Sequence, residues 1–243
     1  MLLKATASVS GLTLVSRVLG FIRDILLAKL VGAGPASDAF FVALRLPNMF
    51  RQLFAEGAFN VAFVPMLARK LEEGGQVEAE RFAKSAFSVL FWLALGLSVL
   101  VMLFMPQVVS ILAPGFKDNE GLFNLTVTLS QITFPYFLFI TLTSFVGGVL
   151  NTLKRFLAFA AAPMLLNLSF ILSLLFLTKL TPDAVTAAAI AVPLGGIAQV
   201  SLMLIAVRRA GFKVRLSLPH KHEELKTLGK RMVTTLIGVG AQQ

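Results

Sequence analysis

The sequence predicts an all-α membrane protein: a six-helix transmembrane bundle followed by the start of a seventh helix. Three observations carry this. Hydrophobic residues make up 57% of the 243 and charged residues only 14%, where soluble domains run nearer a quarter charged. Six apolar stretches are each long enough to cross a hydrocarbon core, which takes about 20 helical residues. No stretch alternates with a period of two, so barrel strands are not expected. The chain has no cysteine, which excludes disulfides, thiolate metal sites and cysteine nucleophiles. A net charge of +10 would suggest nucleic acid in a soluble protein. Here no nucleic-acid partner is expected, and the charge is read as topology information. Nothing in the chain calls for a cofactor, a metal or an enzymatic activity.

The apolar stretches fall at 5–32, 36–68, 85–113, 122–150, 157–179 and 184–207, and a further one opens at 231. The first runs into Arg17 and Arg23 and lacks a small-residue cleavage site, so it reads as a span and not a signal peptide. "GAGPASD" and "APGFKDNEG" are Gly/Pro turns. "KLTPDA" offers Thr181 as a helix N-cap with Pro182 at the first helical position. "KLEEGGQVEAER" reads as a solvated loop before a helix start. The division expected is a six-helix lobe over 1–216, an amphipathic linker helix over 217–230 and a truncated seventh span over 231–243. The linker, "PHKHEELKTLGKR", mixes Leu225 and Leu228 with basic residues, which suits a membrane surface or a solvated helix. His220 and His222 are two apart and do not share a helix face, so they are not read as a metal pair. Gly147–Gly148 and Gly195–Gly196 are read as close helix contacts. Asn151, Asn167 and Gln199 are read as interhelical hydrogen-bonding residues or as cavity lining.

Basic residues choose an orientation. The loops after the second, fourth and sixth stretches hold fourteen Lys and Arg, among them Arg69, Lys70, Arg81, Lys84, Lys154, Arg155, Arg208 and Arg209, against Lys117 and Lys179 in the other loops. By the positive-inside rule the rich loops and the N-terminus face the cytoplasm.

The first two stretches carry the unusual feature. Arg17, Arg23, Lys29, Arg45 and Arg51 lie in them together with Asp24, Asp38 and Glu56. At 1.5 Å per residue, Arg17 is about 20 Å from the turn at Gly32 and about as far from Lys4, which is mid-bilayer. Arg51 is similarly central. A charge at a helix centre costs about 2.5–3.5 kcal/mol on insertion scales, so these arginines should face protein or a water-filled cavity. Arg17 and Asp24 are seven apart, as are Asp38 and Arg45, so each pair shares a helix side. Gly20 between the first pair allows close approach. Pro47 should kink the second helix, as at cavity-lining sites of transporters. Basic residues outnumber acids here, so pairing alone leaves positive charge that an anion would satisfy, and the planar guanidinium suits phosphate.

These residues also carry a resemblance. "SRVLGFIRD", "SDAFFVALRLPNMFRQLFAEGAFNVAFVP", "APGF", "ITFPY" and "GGVLNTLKRFLAFAAAPMLLN", in that order, resemble the MurJ/MviN family of flippases for lipid II, the undecaprenyl-diphosphate-linked peptidoglycan precursor, within the multidrug/oligosaccharidyl-lipid/polysaccharide exporter superfamily. The resemblance implies a longer protein of the bacterial inner membrane, in which two helical bundles form a V around a cationic cavity. This chain matches the first bundle and lacks the C-terminal lobe. It implies lipid II and membrane lipids as partners and alternating access as the mechanism. It further implies Arg17, Arg23, Asp38 and Arg51 as substrate-binding residues, the arginines lying near the diphosphate, with Asp24, Arg45 and Glu56 in support and Asp24 placing Arg23. Three other readings remain open: an exporter of other lipid-linked oligosaccharides, a non-transporting membrane scaffold whose charges only join helices, and an anion channel.

Overall fold

The computed structural model describes residues 2–51 and 58–217. Glu56, the helix expected over 217–230 (except Ser217) and the expected seventh span lie outside the described residues. Within them the protein is helical and has no strand. Among the described residues, four helical stretches are apolar and long enough to cross a membrane: Ala62–Leu103, Glu120–Thr152, Leu157–Lys179 and Ala184–Arg209.

Helix α1 spans Leu2–Leu30, about 43 Å at the α-helical rise. It stops where Gly32 and Gly34 take φ of 71° and 152°, a backbone that residues with a Cβ avoid. Helix α2 (Pro35–Arg51) then starts with a proline, whose missing N–H is one the first turn would leave unpaired anyway. Ser37 Oγ accepts from Gly34 N–H at 3.1 Å and donates to Gly34 O at 2.8 Å, pinning the turn. Pro47 cannot donate to the carbonyl of Ala43, four residues earlier. The hydroxyl of buried Thr133, on another helix, donates to Ala43 O instead at 3.0 Å.

Helix α3 runs from Ala58 to Leu103, with one break at Gly75 (φ 69°, ψ −172°). This conformation is close to glycine-only, and the chain reverses there. Phe63 and Phe82, which a straight helix would hold about 28 Å apart, stack with ring centroids 5.7 Å apart and planes 17° from parallel. The stretch expected as a solvated loop is thus helix on both sides of a single-residue hinge. Its polar run carries i,i+3 and i,i+4 pairs, Arg81–Glu78 at 2.6 Å and Arg69–Glu73 at 3.2 Å, which favour helix over loop.

Phe104 separates α3 from α4 (Met105–Leu112). A 3-10 turn at Pro114–Phe116 leads to α5 (Glu120–Thr133), capped by Asn119, whose side chain accepts from Leu122 N–H at 3.0 Å. Phe134 and Pro135 offset α5 from α6 (Tyr136–Thr152). Helix α7 covers Leu157–Phe176 and α8 covers Ala184–Arg209. The cap of α8 is Asp183, not Thr181: the Asp183 carboxylate accepts from Thr186 N–H at 2.6 Å. The Thr181 hydroxyl instead donates to Leu177 O and Asp183 O. A carboxylate suits the positive end of a helix better than a hydroxyl does.

Helix α7 lies between α1 and α8, α8 packs on α6, α6 on α3, and α2 on α5. Close approach is glycine-dependent, as the paired glycines suggested. A Cβ at Gly195 would lie 2.6 Å from Leu166 Cδ1, one at Gly196 2.8 Å from Tyr136 Cδ2, and one at Gly147 2.5 Å from Phe159 Cδ2. Two apolar clusters mark the ends of the bundle. One joins Phe82, Leu150, Val207 and Phe212, next to the loops rich in Lys and Arg. The other joins Ala39, Phe40, Leu174 and Val185, next to the turn at Gly32–Gly34. The basic loops therefore converge. Gln76 Nε2 donates to Gly211 O at 2.7 Å, and Glu80 Oε1 accepts from Lys213 N–H at 3.1 Å. Lys154, Arg155 and Arg209 border one cavity.

Candidate functional site

Of the charged residues in the first two apolar stretches, Arg23 and Asp24 border a cavity bounded by α1, α2 and α7, and Arg23 meets α7 directly. One face of α1 packs on α7 through Ser16, Gly20 and Arg23, at helical spacing. Gly20 faces Asn167: a Cβ there would lie 3.5 Å from Asn167 Nδ2, an ordinary contact distance. Asn167 Nδ2 donates to Ser16 O at 2.9 Å. Asn167 Oδ1 accepts from Arg23 Nη1 at 2.9 Å.

Arg23 is held from three directions. Its Nε and Nη2 donate to Asp24 Oδ1 at 3.0 and 2.8 Å. Its Nη1 binds Asn167. Its guanidinium carbon lies 5.6 Å from the ring centre of Phe170, inside cation–π range. The Arg23 side chain remains 29% exposed and that of Asp24 62% exposed. A guanidinium has five N–H groups; these bonds use three and leave one on each terminal nitrogen. Arg23 and Asp24 border a cavity of about 250 Å³ that also meets Phe41, Pro47, Tyr136 and Phe170. Pro47, buried on its wall, stands inside the continuous helix α2.

A second cavity, of about 570 Å³, lies between the end of α1 and the start of α2 and has both Asp24 and Asp38 on its wall. Asp38 sits in the first turn of α2 and is exposed. Arg17 and Arg45 are exposed, on α1 and α2, and neither forms an ion pair among the described residues. The Arg23–Asp24 pair is neutral as a unit, and Arg17, Arg45 and Lys29 are exposed on α1 and α2 without bordering either cavity. Arg51 is the last residue of α2; its side chain, and all of Glu56, lie outside the described residues. The structure thus joins Arg23 to Asp24, and Asp24 to Asp38 through a shared cavity. It does not join Arg17 or Arg45 to either.

Sequence reasoning did not place Asn167 and Phe170 beside Arg23. The signal available was a polar residue within "PMLLNLSF", an otherwise apolar helix, where such a residue normally finds an interhelical partner. Gln199 is the parallel case: its Nε2 donates to Ala162 O at 3.0 Å, and its Oε1 accepts from Tyr136 Oη at 3.3 Å. Among the described residues no group of His, Asp and Glu is placed to hold a metal ion.

Comparison with known proteins identifies relatives of the chain. The family model described as lipid II flippase MurJ matches residues 27–243. A protein of Rhizobium tropici named "Probable lipid II flippase MurJ" is 40% identical over 246 residues, covering 100% of this chain and 46% of the relative. One of the same name from Rhizobium meliloti (strain 1021) is 42% identical over 231 residues, covering 93% of this chain and 43% of the relative. A solved structure described as lipid II flippase MurJ in an inward closed conformation superposes with a TM-score of 0.77 at 26% identity, covering 94% of this chain and 46% of that one. This chain spans about half the length of the curated relatives it matches. A family model covering most of the chain, relatives that align along its whole length and a matching all-helical membrane fold lead to one assignment: the chain belongs to the lipid II flippase MurJ family.

Proposed function

We propose that this chain forms one lobe of a flippase that carries lipid II from the cytoplasmic to the outer leaflet of the bacterial inner membrane. The lobe lies with its N-terminus and its basic loops in the cytoplasm. A second lobe completes a cationic cavity, and rocking of the two lobes opens that cavity to one side and then the other. Arg17, Arg23 and Arg51 bind the diphosphate, Asp38 contributes to the site, and Asp24, Arg45 and Glu56 support it. The lipid tail stays in the bilayer. No bond is made or broken.

One observation carries the reading: Arg23 is fixed on the wall of a cavity with an unused N–H on each terminal nitrogen. A phosphoryl group accepts such a pair bidentately. Arg17 and Arg45, without carboxylate partners among the described residues, supply the net charge that a diphosphate needs. A scaffold whose charges only join helices would pair these arginines. Cells depleted of their own flippase and supplied with the full-length protein provide the test. Arg17→Ala and Arg23→Ala should each stop outward movement of lipid II while protein abundance stays normal. Normal export by both variants would refute the assignment, and loss of abundance instead would favour the scaffold.

A further inference from the structure

The binding role given to Arg23 raises the question of what holds its guanidinium in place. Asp24 alone does not determine it. Neighbouring residues on a helix point about 100° apart, and Asp24 is largely exposed, so water competes for its carboxylate. The second anchor is on α7. Asn167 is 8% exposed and sits between two groups of opposite hydrogen-bonding character. Ser16 O can only accept, and Arg23 can only donate. The amide therefore has one satisfactory orientation, with Nδ2 on Ser16 O and Oδ1 on Arg23 Nη1. One turn along α7, Phe170 puts its ring under the same guanidinium. Phe170 is itself fixed, packed edge-on against Phe40 with centroids 6.3 Å apart.

The chemistry of the anchor is selective. A carboxylate at position 167 would bind Arg23 more strongly, but it would face the Ser16 carbonyl without a proton to give and would oppose the positive charge. A leucine would leave Ser16 O and Arg23 without this partner. A neutral amide orients the guanidinium without setting a second negative charge beside it, and leaves one N–H on each terminal nitrogen for an anion. We propose that Asn167, with Phe170 one turn on, is a positioning residue for the anionic headgroup: it acts through Arg23 by fixing the guanidinium before the substrate arrives. This inference rests on the headgroup role of Arg23 given above.

Binding of undecaprenyl diphosphate to the purified full-length protein in detergent tests it, with undecaprenol as the uncharged control and a melting curve for every variant. Asn167→Ala should weaken diphosphate binding by roughly 10-fold to 100-fold, the scale on which orienting partners of binding groups act elsewhere. Undecaprenol binding should not change. In the Arg23→Ala background Asn167→Ala should add nothing, because a residue that acts only through another has no separate effect once that residue is gone. Phe170→Leu keeps an apolar side chain and should reproduce part of the loss, which covers the case in which Asn167→Ala fails to fold. Arg23→Ala weakening binding while the Asn167 effect is absent, additive or equal for both lipids would overturn the positioning role and leave the Arg23 assignment intact. Unchanged binding in Arg23→Ala would remove the headgroup reading and this inference together.

Discussion

Thr133 supplies from α5 the hydrogen bond that Pro47 denies to Ala43 within α2. The Ala43 carbonyl thereby stays paired, which is the condition for a proline inside a membrane helix. Thr133 is fully buried, so losing its hydroxyl leaves a buried carbonyl unpaired. Thr133→Val should lower stability by about 1–3 kcal/mol, and Thr133→Ser should not. In a Pro47→Ala background, where residue 47 regains its N–H, the cost of Thr133→Val should shrink. Melting temperatures of the four proteins in detergent give the coupling directly. Equal costs in both backgrounds would mean that Thr133 does not compensate for the proline.

The α7–α8 contact gives a second expectation. A Cβ at position 195 would meet not only the mobile end of Leu166 but its Cα, at 3.1 Å. The backbone must then move, and Gly195→Ala should cost about 1–3 kcal/mol, the range for overpacking a core. Gly96, inside α3, faces open space. Gly96→Ala should therefore be neutral or stabilising by up to about 1 kcal/mol. A melting temperature for Gly195→Ala at or above that of the parent would show that the helices do not approach as closely as described.

The hinge at Gly75 makes a third. Its φ of 69° and ψ of −172° lie where a side chain costs about 1–3 kcal/mol. No neighbour crowds the position, so the cost of Gly75→Ala should come from the backbone alone. The expected result is a lower melting temperature and faster proteolysis between Arg69 and Lys84. Unchanged protease sensitivity and melting would mean that the reversal does not depend on this residue.

Legibility from sequence followed the range of the interaction. The helical membrane class, the turns at 32–34 and 114–119 and the close contacts at Gly147, Gly195 and Gly196 rest on composition and local residue type, and could be read. Helical spacing points to Arg17 with Asp24 and Asp38 with Arg45, whereas the pair formed is Arg23 with Asp24, which only the family resemblance implies. Asn167 is 144 positions from Arg23, and no local pattern links them; only the packing of α7 on α1 does. The polarity of the stretch around Gly75 reads as a solvated loop, whereas i,i+4 pairing and one glycine make a polar helical hairpin. The cap of α8 moved from Thr181 to Asp183 because both residue types cap helices and only the geometry of the chain reversal chooses between them.

Orientation yields the last prediction. The structure gathers Arg69 to Lys84, Lys154–Arg155 and Arg208 to Arg215 at one end of the bundle, while the turn at Gly32–Gly34 packs at the other. If the positive-inside rule sets the insertion, the basic end is cytoplasmic. Because the chain has no cysteine, single cysteines can be introduced into this half without first removing others. Lys117→Cys and Lys179→Cys should react with a membrane-impermeant maleimide in intact spheroplasts. Lys154→Cys and Lys213→Cys should react only after the membrane is opened. The reverse pattern would place the basic loops outside. It would also turn the Arg23 site over with respect to the leaflet from which a headgroup arrives, so that the direction of transport proposed above would fail with it.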